Sequence, residues 1–518
     1  MRKLVFAGVR LASVICSCAD NAIEEQVKVD GGVICGTVTE NVAIYKGIPF
    51  AAPPVGELRW KAPQPVIPWE GVLEAKEFAP AAVQGGRGNY SEDCLYLNVW
   101  TPAKTTKDKL PVFVWIYGGG FAGGATSDPL FDGEVFAASG VVYASIPYRL
   151  GKLGFMAHPE LSAENEHGVS GNYGILDLVA ALQWIHNNIE KFGGDPAKVT
   201  IFGESAGGIA VSILCASPLT KGLISGAISE SGGSFGPARP TTYPGENMRL
   251  LKDAEQDGLG IMSDLGCSSL AELRALPAEK LVSRGLTPGG GWPIVDGYVI
   301  PDDQFKMYQA GNYNDIPVLI GYNSDEGGSF SGEKDPAKHI ASVELRYGPY
   351  AKQLLEVYPV TETSVPKSAR DLMRDAAFGW QTWAWARLQT ETGKSPAYLY
   401  YFDQHPEYPE DSPRAGYGAF HGAEMEYVFH KLSADKQDSA EEKHLENQIF
   451  NYWINFAKYG NPNGEGLPQW DDFSVAKQTM LLKGTESRMI DVPSEKAMWV
   501  LDSYFQWRRT PEGAAWAK

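Results

Sequence analysis

The sequence predicts an α/β protein in which a mostly parallel central sheet is flanked by helices. Continuous apolar runs such as Leu110 to Tyr117 and Val141 to Ile146 are typical of strands buried on both faces of a sheet. Between such runs, apolar residues recur at helical spacing, as they do from Leu176 to Phe192. Because strands that alternate with helices pack most readily as a parallel sheet, we predict this class for the body of the chain.

The bulk composition is that of an ordinary globular protein and excludes several classes of function. Of the 518 residues, 44% are hydrophobic, and 45 basic against 63 acidic residues give a net charge of −18. Basic residues do not cluster among aromatics, which argues against nucleic acid as a partner. The six cysteines and eight histidines lack the spacing of metal ligands, so we predict neither a metal nor an organic cofactor.

The first residues resemble a targeting segment. Met1-Arg2-Lys3 and the apolar stretch from Leu4 to Cys18 predict an export signal over residues 1–18, and an ordinary disordered N-terminus is the alternative. Ile15 to Cys18 also resembles a lipoprotein cleavage box, in which Cys18 would carry a lipid anchor. We therefore expect an exported protein that is periplasmic, secreted or membrane-anchored. No later run is long and apolar enough to span a bilayer.

A glycine-rich turn follows the first buried strand. The chain starts with a predicted hairpin, Val27 to Val38, and a strand at Leu95 to Trp100. Leu110 to Tyr117 then ends in Gly118-Gly119-Gly120-Phe121. Such a turn could bind phosphate, but the G-K-[ST] continuation of a nucleotide loop is missing. The better interpretation is a loop whose backbone N–H groups approach a substrate oxyanion.

A G-x-S-x-G pentapeptide joins a predicted strand, Val199 to Phe202, to a predicted helix, Ala206 to Ala216. Ser205 in this turn is the candidate nucleophile. Side chains at Gly203 or Gly207 would collide with the neighbouring backbone. The N–H group of Ala206 lies at the helix N-terminus, where developing negative charge is favoured.

The second half of the chain supplies an acid and a histidine in a recognisable order. A predicted strand, Ile316 to Tyr322, ends in the turn that contains Glu326, and another, Ala397 to Phe402, precedes the loop that ends at His421. Serine, then acid, then histidine is the chain order of an α/β-hydrolase. The poorly patterned segment from Pro237 to Gly291 and the later helical stretches predict large helical insertions around the active site.

Several motifs together resemble the type-B carboxylesterases, the group that contains p-nitrobenzyl esterases and cholinesterases. The resemblance runs from about Val27 to about Phe505, so we predict one elaborated domain over 27–505 and a C-terminal tail over 506–518. The motifs are Gly47-Ile48-Pro49-Phe50-Ala51, Ser91-Glu92-Asp93-Cys94-Leu95-Tyr96-Leu97-Asn98, Tyr117-Gly118-Gly119-Gly120-Phe121, Gly171-Asn172-Tyr173-Gly174, Phe192-Gly193-Gly194-Asp195-Pro196 and Gly203-Glu204-Ser205-Ala206-Gly207-Gly208.

The resemblance implies a serine esterase that hydrolyses a small-molecule ester through an acyl-enzyme. Ser205 would be the nucleophile, His421 the general base and Glu326 the acid of the triad. The implied donors of the oxyanion hole are the N–H groups of Gly119, Gly120 and Ala206.

Other residues compete for these roles or support them. Asp325 is a rival acid beside Glu326, but the family motif places the acid at Glu326. His405 and His430 are rivals of His421, and we interpret both as surface-loop residues. Glu204 is interpreted as a buried polar support. The family pattern makes two pairs structural ion pairs: Arg59 with Glu92, and Arg149 with Asp177.

Departures from the family pattern bear on specificity. The loop Gly85 to Tyr90 is short and lacks the tryptophan that binds choline in cholinesterases, which argues against choline esters. Ala81-Ala82-Val83 stands where the partner of Cys94 is expected, and no cysteine follows Cys267. We therefore expect free thiols at Cys94 and Cys267.

The predicted substrate pocket contains Glu204, Tyr117, Gly289 and Trp292. Gly289-Gly290-Gly291-Trp292 stands where cholinesterases place bulky aromatics, which suggests a roomy acyl side. We hypothesise a small or aromatic acid such as a hydroxycinnamate, with Trp292 as a wall; a flexible loop is the plain alternative. The helically spaced tryptophans of the segment 380–385 are interpreted as core residues, with carbohydrate stacking as the rival interpretation.

Two other functions fit the same fold. Neuroligin-like adhesion proteins have lost the nucleophile, whereas Ser205, Glu326, His421 and the glycine-rich turn are all present here. A lipase would need an amphipathic lid, and no such segment is evident. The sequence does not determine the oligomeric state, and a monomer is the default expectation.

Overall fold

An eleven-stranded sheet forms the centre of the computed structural model, which describes residues 22–282, 291–408, 411–412, 416–436 and 439–516. The strands of the protein are β1 (Gln26–Val29), β2 (Gly32–Cys35), β3 (Thr37–Val38), β4 (Ala43–Pro49), β5 (Val72–Glu74), β6 (Ala81–Ala82), β7 (Tyr90–Ser91), β8 (Tyr96–Thr101), β9 (Leu110–Ile116), β10 (Val142–Ser145), β11 (Gly194–Glu204), β12 (Gly226–Glu230), β13 (Arg249–Leu250), β14 (Ile294–Val295), β15 (Val318–Asn323), β16 (Ala397–Phe402), β17 (Gln478–Leu482) and β18 (Arg488–Asp491). The order of the strands in the central sheet is β18-β17-β16-β15-β12-β11-β9-β10-β8-β4-β3.

Helices cover both faces of this sheet and build the region around one of its edges. They are α1 (Glu134–Ala138), α2 (Gly151–Phe155), α3 (Pro159–Glu164), α4 (Tyr173–Asn188), α5 (Ala206–Ala216), α6 (Leu251–Asp264), α7 (Leu270–Ala275), α8 (Gln304–Gln309), α9 (Pro336–Tyr347), α10 (Ala351–Val357), α11 (Val365–Arg374), α12 (Trp380–Thr392), α13 (Met425–Val428), α14 (Ala440–Tyr459), α15 (Phe473–Ala476), α16 (Glu495–Arg508) and α17 (Pro511–Trp516). None of the described helices is both long and apolar enough to cross a membrane.

The middle of the sheet is parallel, as the sequence predicts. β9 pairs in parallel with β10 and β11, and the parallel ladder continues through β12, β15 and β16 to β17. The pairs that involve β3, β4, β8 and β18 are antiparallel. Because the carboxyl ends of the parallel strands meet at one edge, the turns after β9, β11, β15 and β16 converge there.

The buried strands owe their position to residues that pack on both faces. Phe113 of β9 stacks on Phe202 of β11 with ring centroids 3.7 Å apart, and Trp115 packs against Phe429 at 4.9 Å. All eleven residues of α5 are buried, which fits a short apolar helix lying between the sheet and other helices. The core therefore lies directly beneath the edge where the turns converge.

Some strands and helices differ in extent from the sequence prediction. β11 begins at Gly194, five residues before the predicted start at Val199, because Gly194 pairs with Leu110 across a register shift. β8 alternates in sequence yet is buried on both faces. Its polar residue Asn98 is tolerated there because its side chain donates to Ser145 Oγ at 3.0 Å and accepts from the Gly47 N–H group at 2.9 Å. Part of the predicted tail forms the end of α16 and α17.

Several predicted structural roles are seen directly. Arg149 and Asp177 form a buried ion pair at 2.7 Å, and Arg59 and Glu92 pair at 2.5 Å. Among the described cysteines, Cys35, Cys94, Cys215 and Cys267 are free. The tryptophans of the segment 380–385 are buried in the core and not on a binding surface: Trp380, Trp383 and Trp385.

Candidate active site

Ser205 occupies a strained turn between β11 and α5. Its backbone has φ 55° and ψ −120°, a region that side-chain-bearing residues rarely adopt. The turn is held because the Ser205 N–H group donates to the Glu230 carbonyl at 2.9 Å. A Cβ at Gly203 or Gly207 would lie 2.6 Å or 2.1 Å from the carbonyl oxygen of Ile116. Both glycines are therefore required by close backbone approach, as the sequence predicts.

His421 bridges Ser205 and Glu326. Its Nε2 lies 2.8 Å from Ser205 Oγ, and its Nδ1 lies 2.5 Å from Glu326 Oε2. With the ring proton on Nδ1, the Ser205 hydroxyl donates to Nε2 and Nδ1–H donates to the carboxylate. Glu326 follows β15 and His421 follows β16, so adjacent parallel strands deliver the two side chains to the elbow.

Buried donors fix the carboxylate of Glu326. Its Oε1 accepts the Asn323 N–H group at 2.9 Å and a short hydrogen bond from the Ser231 hydroxyl. Glu326 has no exposed surface, so these donors compensate the loss of hydration and hold the other oxygen toward His421. Ser231 was not predicted from the sequence, since it lies 95 residues from Glu326 and belongs to no catalytic motif.

Glu204 lies beside the same imidazole. Its Oε1 is 3.3 Å from His421 Nε2, and its side chain is buried. Burial raises the pKa of Glu204 to about 7, although the neighbouring His421 opposes this shift. Burial alone would lower the pKa of His421, but the negative potential of Glu204 and Glu326 outweighs it and raises that pKa. Glu204 is thus a buried group that adjusts the basicity of His421.

Two more glutamates are buried behind Glu204. Burial raises the pKa of Glu424 to about 8 and that of Glu230 well above its ordinary value. Glu230 accepts from Trp453 Nε1 at 2.8 Å, and Glu424 accepts from Asn323 Nδ2. Their raised pKa values favour protonated carboxyl groups at neutral pH, which spares the site further negative charge.

The glycine-rich turn after β9 packs against the elbow. A Cβ at Gly118 would lie 3.1 Å from Ser205 Cβ, so the turn passes directly beside the serine. Gly119 and Gly120 have φ values of 99° and 62°, and their N–H groups donate to no protein acceptor in the described part of the chain. The N–H group of Ala206 belongs to the first turn of α5, where no intrahelical acceptor exists. These three donors suit an oxyanion.

Ser205 and His421 open into a cavity of about 660 Å³. One group of wall residues is apolar: Phe155, Ile209, Trp292, Phe330, Met373, Phe378 and Met425. Another group is polar: Ser234, Thr242, Tyr243, Asn247, Arg249 and Asp257. Arg249 and Asp257 form an ion pair in this wall. A mostly apolar cavity with a few polar groups is typical of a small-molecule site.

Two phenylalanines flank the imidazole of His421. The ring of Phe330 lies 4.9 Å and that of Phe378 5.0 Å from the His421 ring. Phe378 belongs to a π-helical turn, Asp375–Gly379, between α11 and α12. Such a turn re-aims side chains and is frequent at functional sites, but local sequence does not reveal it. Neither phenylalanine was predicted as a site residue.

Only some of the predicted pocket residues line the cavity. Glu204 and Trp292 line the cavity, and the Trp292 ring packs edge-on against Phe121 at 4.9 Å. Gly289 lies outside the described residues. Tyr117 does not line the cavity, which corrects the sequence prediction: it is buried, stacks on Tyr148 at 4.8 Å and donates to the Tyr148 carbonyl at 3.3 Å.

The rival catalytic residues point elsewhere. Asp325 Oδ2 lies 3.0 Å from His405 Nε2. His430 Nε2 lies 3.2 Å from Asn447 Oδ1. Each rival thus has its own partner, whereas Ser205, Glu326 and His421 meet at one point.

Comparisons with known proteins identify relatives of this chain. A model of the "Carboxylesterase family" matches residues 23–499. The chain is 37% identical over 474 residues to a fumonisin B1 esterase of Sphingopyxis macrogoltabida, covering 86% of this chain and 84% of that protein. It is 36% identical over 496 residues to the para-nitrobenzyl esterase of Bacillus subtilis (strain 168), covering 90% and 96%. A solved PNB esterase structure superposes with a TM-score of 0.79 at 34% identity and covers 92% of this chain and 100% of that one.

Proposed function

Because the chain belongs to the type-B carboxylesterase family and is a carboxylic-ester hydrolase of the EC 3.1.1 type, we propose that Ser205, His421 and Glu326 perform its reaction. The observation that carries this proposal is the position of His421, whose two ring nitrogens lie 2.8 Å from Ser205 Oγ and 2.5 Å from Glu326 Oε2. Ser205 and His421 line a cavity that is large enough for a small ester.

Acylation begins when the ester carbonyl carbon lies against Ser205 Oγ. The hydroxyl proton passes to Nε2 of His421 as Oγ attacks the carbonyl, and Glu326 stabilises the resulting imidazolium. The carbonyl oxygen becomes an oxyanion, which the N–H groups of Gly119, Gly120 and Ala206 are placed to bind. The tetrahedral intermediate collapses, the imidazolium protonates the leaving alkoxide, and the alcohol departs. The acid portion then remains as an ester on Ser205.

Deacylation repeats these steps with water as the nucleophile. Water loses a proton to Nε2 of His421 as its oxygen attacks the acyl carbon. The second tetrahedral intermediate expels Ser205 Oγ, which recovers its proton from the imidazolium. A carboxylic acid and the free enzyme result, and no cofactor takes part in either half of the cycle.

For the substrate, we propose an ester of a small or aromatic acid. The apolar wall formed by Trp292, Phe330 and Phe378 supports an aromatic acid, because flat rings pack well edge-on or offset against such side chains. The polar wall, which includes Ser234 and Asn247, supports hydroxyl or methoxy substituents of a hydroxycinnamate.

The test compares the wild type with Ser205→Ala on p-nitrophenyl acetate, longer acyl esters and a ferulate. We expect Ser205→Ala to lower kcat by about 10⁴-fold or more, because the nucleophile is removed while the binding groups remain. A matched control is Ser225→Ala; Ser225 donates to the Val199 carbonyl at 3.2 Å and does not line the cavity. It should keep its activity.

The acyl profile separates the alternatives. A preference for ferulate supports an aromatic acid, whereas a clear preference for acetate overturns the aromatic acid and leaves the small acid. A preference for long acyl chains indicates a lipase. If neither wild type nor variant cleaves any ester, a binding role on a hydrolase scaffold replaces the proposed chemistry.

A further inference from the structure

His405 sits at the centre of a small charged cluster outside the cavity. Its Nε2 lies 3.0 Å from Asp325 Oδ2, 3.0 Å from Asp403 Oδ1 and 3.2 Å from Ser324 Oγ. Asp325 and Ser324 come from the turn after β15, whereas Asp403 and His405 follow β16. The imidazole therefore joins the turn after β15, which contains Glu326, to the start of the segment after β16, which leads to His421.

Asp325 continues this connection to the segment that carries His421. Its Oδ2 accepts the Ala419 N–H group at 3.1 Å, and its own N–H group donates to the Ala419 carbonyl at 3.0 Å. The fit is tight, because a Cβ at Gly418 would lie 2.3 Å from Asp325 Oδ2. Asn323 adds a hydrogen bond from Nδ2 to the Phe420 carbonyl at 2.9 Å.

We propose that Asp325 and His405 form a protonation-dependent clamp that positions His421 for the reaction at Ser205. Neither residue touches the reacting atoms; both act through the backbone of Ala419, two residues before His421. The inference rests on the proposed role of His421, and it adds two positioning residues and a pH limit to that role.

The charges around His405 favour its protonated form. Asp325 and Asp403 both face its Nε2, Lys483 Nζ lies 3.3 Å from Asp403 Oδ2, and Arg374 donates to the Ser324 carbonyl at 3.0 Å. The hydrogen bonds to Asp325 and Asp403 raise the pKa of His405 to about 9, although partial burial opposes this. Because both carboxylates face the same nitrogen, a neutral imidazole can keep its N–H at Nε2 for them but loses the positive charge that offsets the two acids.

This arrangement sets the direction of the pH dependence. The His405 imidazolium exists in the folded protein below about pH 9, so the clamp is closed at neutral pH. As pH rises through about 9, His405 loses its proton and the clamp weakens. At low pH the clamp persists further: burial alone would raise the pKa of Asp403, but hydrogen bonds from His405 and Ser324 and the charges of His405 and Lys483 together lower it to about 2.

The test uses the full chain and two substitutions. His405→Gln removes the charge, and His405→Arg keeps a positive charge at every accessible pH. We expect His405→Gln to lower kcat about ten-fold at neutral pH with little change in KM, because a displaced base slows chemistry more than binding. The ratio of wild-type kcat to His405→Arg kcat should fall as pH rises through about 9, because His405 titrates only in the wild type whereas the titration of His421 is common to both proteins.

A matched control is His430→Gln, which changes another partly exposed histidine that lies outside the cavity. Its pH profile should follow the wild type. The inference is overturned if His405→Gln retains the wild-type kcat, or if the ratio of wild-type kcat to His405→Arg kcat stays constant as pH rises through about 9.

A second readout does not depend on ester turnover. The downfield proton resonance of the hydrogen bond from His421 Nδ1 to Glu326 reports the position of His421 directly. The clamp predicts that this resonance shifts or broadens in His405→Gln and is retained in His405→Arg. If Ser205→Ala remains active, the proposed function fails, while this resonance still decides whether the clamp exists. An unchanged resonance in His405→Gln overturns the clamp alone.

Discussion

Asp325 and Glu326 are adjacent in the chain, yet their carboxylates serve different histidines. Glu326 Oε2 lies 2.5 Å from His421 Nδ1, whereas Asp325 Oδ2 lies 3.0 Å from His405 Nε2. Glu326 is buried, while 39% of the Asp325 side chain is exposed. The turn thus presents one carboxylate to the proposed triad and the other to the proposed clamp on the segment that carries His421.

The two carboxylates should differ sharply when they are neutralised. We expect Glu326→Gln to lower kcat by about 10⁴-fold, because the imidazolium loses its stabilising charge and the imidazole its fixed tautomer. Asp325→Asn should lower kcat only about ten-fold, since it affects the placement of His421. Steady-state kinetics on p-nitrophenyl acetate measure both. Equal losses in the two variants would contradict the assignment of Glu326.

Glu204 should control the acidic limb of the pH profile. The free base form of His421 is needed for attack, so kcat/KM rises as His421 loses its proton. The carboxylate of Glu204 stabilises the imidazolium, and Glu204→Gln therefore lowers the pKa of His421 and moves the limb to lower pH. Measurement of kcat/KM against pH checks this. A limb that stays in place or moves to higher pH would show that Glu204 does not act on His421.

Gly119→Ala should disable the oxyanion loop. Its φ of 99° disfavours any side chain, and the new Cβ would lie 2.4 Å from the Gly123 carbonyl oxygen. The loop must shift, and we expect a loss of about 10²- to 10³-fold in kcat, the usual effect of losing one oxyanion donor. Gly56→Ala is a suitable control, since Gly56 also has positive φ but nothing within 4 Å of its Cβ position. Normal kcat in Gly119→Ala would exclude this loop from the oxyanion site.

Trp292 should affect aromatic acids more than acetate. It lines the cavity and packs edge-on against Phe121 at 4.9 Å. We expect Trp292→Leu to reduce kcat/KM for a ferulate about ten-fold, since an aromatic contact contributes about 0.5–1.5 kcal/mol beyond its buried area. The value for p-nitrophenyl acetate should change little. Equal losses on both esters would indicate a general packing defect and would contradict a role in acyl selectivity.

The Arg149–Asp177 pair should stabilise the fold without acting in catalysis. Asp177 is fully buried and accepts from Arg149 Nε at 2.8 Å and Nη2 at 2.7 Å. Asp177→Asn leaves a buried arginine charge without a counterion, so we expect about 3–5 kcal/mol less unfolding free energy. Denaturant unfolding measures this loss. The folded fraction should retain its kcat, and a selective loss of kcat would contradict a purely structural role.

The parts of the proposed site that could be found from the sequence lie inside short local patterns. The strand, tight turn and helix around Ser205 occupy about twenty consecutive residues, so steric demands on Gly203 and Gly207 are readable from the chain alone. Glu326 lies in the turn just after β15 and His421 near the end of the long loop after β16, and their order in the chain after Ser205 identified both as candidates. The parallel sheet could also be predicted from local patterns, because strands buried on both faces have continuous apolar runs.

The rest depends on contacts between distant segments. Ser231 reaches Glu326 across 95 positions, and Phe378 reaches His421 through a π-helical turn whose register no local periodicity reveals. Tyr117 was wrongly placed in the pocket because strand alternation does not tell which face of the turn a terminal residue takes. His405 is an exposed loop residue, as the sequence predicts, but its two acidic partners could not be predicted because they meet it only in the folded chain.

The backbone of Ser205 has a consequence for directed evolution of this enzyme. A non-glycine residue at φ 55° and ψ −120° carries strain that costs about 1–3 kcal/mol of folding stability. Screening for heat resistance alone would therefore reward glycine at position 205, which relieves the strain and abolishes the nucleophile. Any selection for thermostable variants must retain a turnover assay at every round, because the position most needed for chemistry is also one where inactivation favours stability.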